Sequence, residues 1–313
     1  MNHTFSFAKF ATIILICMTV LSTGIFMYVQ TLNSTLEKET ISYLKEFAQQ
    51  DARHIEMQVD EDLEVLKSIA LAINVFEPTD EKIIELLHEE SQQHLFKNLE
   101  FVWPDGTAHL DNNSFLILAD EPHFQKALKG LPNISTRLKD FLDNASILVE
   151  AVPVFRNDQI FGVLMGTRRT EDFARTLDME SFSGDGYSLL VEADGDKVIE
   201  SFHKNAISGL YNIFDMPADP DHELRELVMQ DFREGKSGFV KYQSKTRGLL
   251  YISYQPLHIN DWFLISVVPA QHLNALTRHF VTLLLVLCIL IAVSGMIIGG
   301  YVHSSWEFLQ EEK

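Results

Sequence analysis

Two uncharged runs bracket the chain, and they decide which folds are open to it. Phe10 to Val29 (FATIILICMTVLSTGIFMYV) and Phe280 to Val302 (FVTLLLVLCILIAVSGMIIGGYV) contain no Asp, Glu, Lys or Arg. A helix needs about twenty apolar residues, at about 1.5 Å each, to cross the hydrocarbon core. Both runs therefore read as transmembrane helices. For the first, a cleaved signal peptide is the rival reading, but its apolar region would be unusually long and no A-x-A site precedes Gln30. Two spans put both termini on one side of the membrane, and Lys9 beside the first run favours the cytoplasm. Residues 30–279 then lie extracellularly or in the periplasm, on a two-pass protein of the cell membrane.

The net charge of −19 falls almost wholly on residues 30–279. Such acidity argues against nucleic acid or an anionic lipid surface as a partner. It suits solubility and repulsion from the membrane, and it leaves room for cationic ligands. Cys17 and Cys288 both sit inside the apolar runs, so the exported part has no disulfide and is held by its core.

From Leu32 to Ile73, apolar residues recur at Ile41, Leu44, Ala48, Ala52, Ile55, Val59, Leu63, Leu66, Ala70 and Ile73. Steps of three and four are the helical repeat, and charges fill the other positions. We read residues 30–75 as one stalk helix rising from the first span. A helix of about forty residues reaches about 60 Å, enough to lie along two stacked domains or to pair with its twin in a homodimer.

Pro78-Thr79-Asp80 stops that helix and caps another over Glu81 to Gln93, with Ile83, Ile84, Leu86 and Leu87 as its buried side. Leu99 to Trp103 reads as a strand, Pro104-Asp105-Gly106 as its turn and Thr107 to Leu110 as the return strand. A short helix covers Glu121 to Lys129, ended by Gly130, and a looser segment runs from Leu131 to Asn144. The apolar runs Ile147 to Phe155 and Ile160 to Met165, split by Arg156-Asn157-Asp158-Gln159, make a β-hairpin. Pro153 suits an edge position or a bulge there. Thr170-Glu171-Asp172 then caps a helix bearing Phe173, Ala174 and Leu177.

The pattern repeats: a strand from Gly186 to Glu192, an Asp194-Gly195 turn, a return strand Lys197 to Phe202, an acidic loop Asp215 to Asp221, and a helix Glu223 to Glu234. Strands follow at Ser237 to Gln243, Leu249 to Pro256 and Trp262 to Val268, and a helix from Gln271 leads into the second span. The fold class is α+β, with two similar modules in tandem on a long helix.

The ordered segments VEAVPVFRNDQIFGVLMG, FSGDGYSLLVEADGDKVIES, EGKSGFVKY, LLYISYQPL and NDWFLISVVP resemble the double Cache (dCache) extracytoplasmic sensor region found before bacterial diguanylate cyclases and histidine kinases. The resemblance covers nearly everything between the spans. It implies two PAS-like modules, a small-molecule ligand in the membrane-distal one and a dimer built on the long helix. Amino-acid-binding members carry Arg, Trp and Tyr on the short distal helix, where this chain has His123 and Phe124. Their amine-binding acids fall where this chain has Asp140 or Asp143, and where it has Thr167 in place of an acid.

The resulting division is a cytoplasmic N-terminus at 1–9, spans at 10–29 and 280–302, the stalk at 30–75, a distal module at 76–180 and a proximal one at 181–270. A connecting helix at 271–279 and a cytoplasmic tail at 303–313 complete it. Gly295 and Gly299 have the spacing that lets membrane helices approach closely, a candidate dimer contact.

No P-loop, cyclase loop or zinc-type histidine spacing is present, and the acidic loop lacks EF-hand spacing. No cofactor, metal or catalytic group is expected. Candidate ligand-binding residues are Trp103, Phe124, Arg137, Asp143 and Glu150. Glu150 interrupts an apolar run and needs a partner if buried; strand alternation could instead turn it to water. The expected function is a sensor that passes a conformational signal inward, to a cyclase or kinase output (cyclic di-GMP signalling) or to a cytoplasmic partner. The alternatives are a membrane adaptor working through its spans and a tethered extracytoplasmic enzyme.

Overall fold

The computed structural model describes residues 7–73, 81–94, 96–109, 115–177, 186–204, 206, 211–215, 222–244, 248–270 and 275–311. They fall into two units: Leu44–Pro269, and the terminal segments up to Tyr43 and from Ala270. The Pro78-Thr79-Asp80 cap, most of the acidic loop and the start of the connecting helix at Gln271 lie outside the described residues.

The helix α1, Phe7–Ile73, enters the first unit at Leu44, and from there it supplies one wall to two sheets. Its apolar stripe is buried at Leu44, Ala48, Ala52, Ile55, Val59, Leu66, Ala70 and Ile73. Ala52, Ile55 and Val59 pack with Leu190, Val198, Trp262 and Leu264. Leu66, Ile69, Ala70 and Ile73 pack with Phe96, Leu99, Phe101 and Leu164. Leu63 touches both clusters, so one stripe carries two cores.

The first sheet is built by β1 (Asn98–Val102), β2 (Thr107–His109), β3 (Phe115–Ile117), β4 (Asn133–Ile134), β5 (Leu138–Lys139), β6 (Ser146–Arg156) and β7 (Gln159–Arg169). Its order is β3-β2-β1-β7-β6-β4, with β5 also on β6, and every pair is antiparallel. The helices α2 (Glu81–Gln93), α3 (Pro122–Leu128) and α4 (Thr170–Leu177) accompany it. On α2, Ile83 and Leu87 are buried, but Ile84 is exposed, which narrows the expected apolar face.

Strand β6 separates two cores. Ile147, Val149 and Ala151 join Phe124 and Ala127 of α3, whereas Leu148, Val152 and Val154 turn towards α1. Both faces are covered, which is why the strand reads as an unbroken apolar run. Asn157 and Asp158, at φ 50 and 61, form the two-residue hairpin turn. Pro153 lies beyond the part of β6 that pairs with β4, one residue before a register shift at Val154/Phe155. The Thr170 hydroxyl donates to the Ser146 carbonyl at 3.2 Å, so it ties α4 back to β6.

The second sheet has β8 (Tyr187–Val191), β9 (Lys197–Ile199), β10 (Gly238–Ser244), β11 (Gly248–Pro256) and β12 (Phe263–Pro269), in the order β10-β11-β12-β8-β9, all antiparallel. The helix α5, His222–Arg233, covers the face away from α1. Both sheets use an Asp-Gly turn between short strands: Gly106 and Gly195 sit at φ 86 and 94. That left-handed backbone favours glycine.

In the second unit, α6 spans Ala275–Glu311. Its segment Thr282–Tyr301, of mean hydropathy 2.8, is long and apolar enough to cross a membrane. The first apolar run lies on α1, where the described side chains Val20, Leu21, Phe26, Met27 and Tyr28 are exposed.

Candidate functional site

The first sheet carries a cavity of about 90 Å³ on its α3 side. Register builds its floor. Asn98, Thr167 and Val149 stand side by side across β1, β7 and β6, and Glu100 faces Met165 in the next row. All five line the cavity, because positions two apart on a strand share a face. His123 of α3, Glu121 before it, Leu118, and the segment from Lys139 to Leu142 complete the wall.

Asp140 is the anchored acid of the site. Its side chain is buried, the Leu142 amide donates to Oδ1 at 2.7 Å, and the Lys97 ammonium pairs with Oδ2. Lys97 also reaches Asp143 at 3.0 Å. Burial works against the Lys97 charge, but its hydrogen bonds to Asp140 and Asp143 outweigh burial and raise its pKa. The Thr167 carbonyl accepts from the Lys97 amide at 2.7 Å, which fixes that lysine beside the cavity floor. Burial lowers the His123 pKa to about 4. Its Nδ1, 3.9 Å from Glu121, is thus part of a neutral imidazole near pH 7, and the contact is not an ion pair. Of the charged residues lining the cavity, Glu100, Glu121 and Asp140 are acidic and Lys139 is basic, while Lys97 beside it is shared between Asp140 and Asp143. Such a site can hold a small polar molecule bearing a cationic group.

The residues singled out from sequence fall elsewhere. Trp103 packs against Phe101 and Phe161 at centroid distances of 5.2 and 5.7 Å. Phe124 is buried in the core between α3 and the sheet. Arg137 pairs with Glu200 at 3.0 Å, donates to the Ser146 hydroxyl at 3.2 Å and lies over Tyr211. Asp143 pairs with Lys97 and with Arg169, at 3.0 Å each, at the surface. Gly295 and Gly299 are on α6, half-buried and buried respectively.

Glu150 is buried, not turned to water, and it faces α1 rather than the cavity, since its neighbour Val149 takes the cavity side. Neither carboxyl oxygen has a hydrogen-bond partner among the described residues. Burial, then the charge of Asp62, pushes its pKa well up against the opposing pull of Arg168. Glu100 was missed, although it is a polar residue inside the strand expected at Leu99 to Trp103. Asp140 and Thr167 entered only through the family resemblance.

The architecture is that of the Cache-type ligand-binding regions of chemoreceptors and histidine kinases. No family model matches the sequence, and no curated protein matches it. Among solved structures, the ligand-binding domain of the Pseudomonas aeruginosa PAO1 amino acid chemoreceptor PctB, in complex with L-Arg, aligns with a TM-score of 0.57 at 18% identity. It covers 76% of this chain and 98% of that one. The sensory domain of the Campylobacter jejuni chemoreceptor Tlp3 (CcmL), with isoleucine bound, gives 0.57 at 12% identity over 77% and 97%. The extracellular domain of mmHK1S-Z3, assigned as a histidine kinase, gives 0.57 at 15% identity over 78% and 98%. At these identities the likeness establishes the fold.

Proposed function

We propose that the chain is a membrane-anchored extracytoplasmic sensor that takes a small amine-bearing molecule, of amino-acid size, into the cavity under α3. The observation that carries this reading is Asp140, a buried carboxylate oriented by Lys97 and the Leu142 amide beside Thr167 and Glu100. A cavity of about 90 Å³ has room for roughly six to nine water-sized groups, which suits an amino acid or a short amine. PctB and Tlp3 have amino acids bound in domains of this fold.

In this reading the apolar runs of α1 and α6 span the bilayer, and Thr282–Tyr301 supports the second of them. The ligand favours one of two packings of the sheets on α1, by its unequal affinity for them. A homodimer through α1, Gly295 and Gly299 passes the difference to a cyclase or kinase output, or to a cytoplasmic partner. The reading assigns no catalysis to this chain.

The test is calorimetric titration of the full chain in nanodiscs with the standard amino acids and simple alkylamines. At least one compound should bind saturably, and Asp140→Asn should weaken it about tenfold or more, as expected for a lost charge-assisted hydrogen bond. A cooperatively folded chain that binds no member of the panel would overturn the reading.

A further inference from the structure

A second cavity, of about 140 Å³, lies between α5 and the five-stranded sheet. Strand register builds it. Leu189, Ile265 and Tyr254 stand in a row across β8, β12 and β11, facing Val228 and Phe232 of α5. The space admits on the order of ten water-sized groups. Its walls are mostly apolar, so a ligand with an apolar body gains dispersion contacts there, whereas water finds few partners.

Among the described residues its wall carries two basic side chains, Lys197 and Arg225, and one acidic one, Glu200. Lys197, the first residue of β9, is buried. Arg225, in the first turn of α5, has its Nε buried without a hydrogen-bond partner among the described residues. Glu200 also lines the space, but Arg137 holds its carboxylate at 3.0 Å. Asp231, behind Tyr254, accepts the tyrosine hydroxyl. A cation in the first turn of a helix adds to the positive end of the helix dipole rather than opposing it. Burial lowers the Lys197 pKa even though Glu200 pulls the other way. An anion seated here gives the buried Arg225 Nε a hydrogen-bond partner.

We propose that this cavity binds a small apolar organic monoanion, of the class of short fatty or aryl carboxylates, with its head at Lys197 and Arg225 and its body along the sheet face. The site is separate from the cavity under α3 and does not depend on the amine-sensor reading.

The probes are phenylacetate, hexanoate and the uncharged phenylacetamide, titrated into the full chain in nanodiscs and followed by calorimetry and ligand-observed NMR. Phenylacetate or hexanoate should saturate, and phenylacetamide should bind at least about tenfold more weakly than phenylacetate. Arg225→Gln should weaken acid binding by a similar factor, and Val228→Trp, which fills the space, should remove it. Absence of saturable binding by both acids, equal affinity for acid and amide, or acid binding indifferent to Arg225→Gln would each overturn the proposal. Should Val228→Trp fail to fold, the acid and amide comparison on the unaltered chain still decides.

Discussion

The guanidinium of Arg168, near the end of β7, donates to the carboxylate of Asp62 on α1 at 2.6 Å. It also reaches the His94 carbonyl at 3.3 Å and lies 4.8 Å from the ring centre of Phe96. Thr167, one residue earlier, faces the cavity. Neighbouring strand residues point to opposite faces, so a displacement of β7 at Thr167 reaches α1 through a single peptide unit. The ion pair is therefore a direct polar connection between the proposed ligand site and the long helix, beside the apolar ones that Leu148 and Leu164 make next to the cavity residues Val149 and Met165.

Removing one side of this pair should cost far more than removing both. The side chains of Arg168 and Asp62 are 15% and 7% exposed, and Asp62 Oδ2 and Arg168 Nε have no other hydrogen-bond partner among the described residues. Arg168→Met leaves Asp62 buried without a cation and should lower stability by about 3–5 kcal/mol. Asp62→Leu combined with Arg168→Met should recover most of that loss. Urea unfolding of the full chain in detergent, single against double variant, measures it; additive losses would contradict the coupling.

Glu150 should make stability fall as pH rises. Its carboxyl is raised well above the ordinary 4.5 in the folded chain, by burial first and by Asp62 second. The folded state thus holds a proton that the unfolded state gives up. The full stability is present below about pH 4.5 and is lost as pH climbs towards the folded pKa, by about 1.4 kcal/mol per pH unit within that window. Glu150→Gln keeps the shape without the titration, so its stability gain over the parent should widen with pH above that value. Unfolding midpoints that run parallel from acid to neutral pH would refute the assignment.

How far the sequence could be read follows from the same residues. The long helix, the hairpin turn at Asn157 and Asp158, both Asp-Gly turns and most strands were legible, because periodicity and turn chemistry are local. The strands β3, β4 and β5, with two or three residues each, are too short to show alternation and exist through their neighbours. Glu150 stayed open between burial and solvent for a related reason: on a strand covered on both faces, alternation says which face a residue takes but not whether that face is wet. The cavity itself needs the registers Asn98↔Thr167 and Val149↔Thr167. The first pairs positions far apart in the chain, and the second lies across a hairpin whose register shifts at Val154/Phe155, so no local pattern announces the two together.

The Arg137 and Glu200 pair joins segments of the two sheets at 3.0 Å, with side chains 19% and 39% exposed. At that exposure solvent screens the attraction, so Glu200→Gln should cost less than about 1 kcal/mol. The loss should shrink further at high salt. A double-mutant cycle with Arg137→Gln in low and high salt gives the coupling directly. A large, salt-independent coupling would show that the pair is held out of water.

Two glycines with similar backbones should respond differently to the same substitution. Gly106 and Gly235 both lie in the left-handed region, at φ 86 and 63. A methyl group on Gly235 meets nothing within 4 Å, whereas on Gly106 it would lie 2.5 Å from the Ala119 Cα, which is backbone and cannot swing aside. Gly235→Ala should therefore cost only the backbone strain, roughly 1 kcal/mol, and Gly106→Ala should add an overpacking cost of about 1–3 kcal/mol. The Gly106 carbonyl also accepts from the Leu118 amide at 2.8 Å, and Leu118 lines the cavity. Gly106→Ala should thus weaken ligand binding under α3 as well as stability, while Gly235→Ala leaves that binding alone. Unfolding midpoints and calorimetric affinities of the two variants check both halves, and equal effects from the two glycines would show that the Ala119 contact does not constrain the turn.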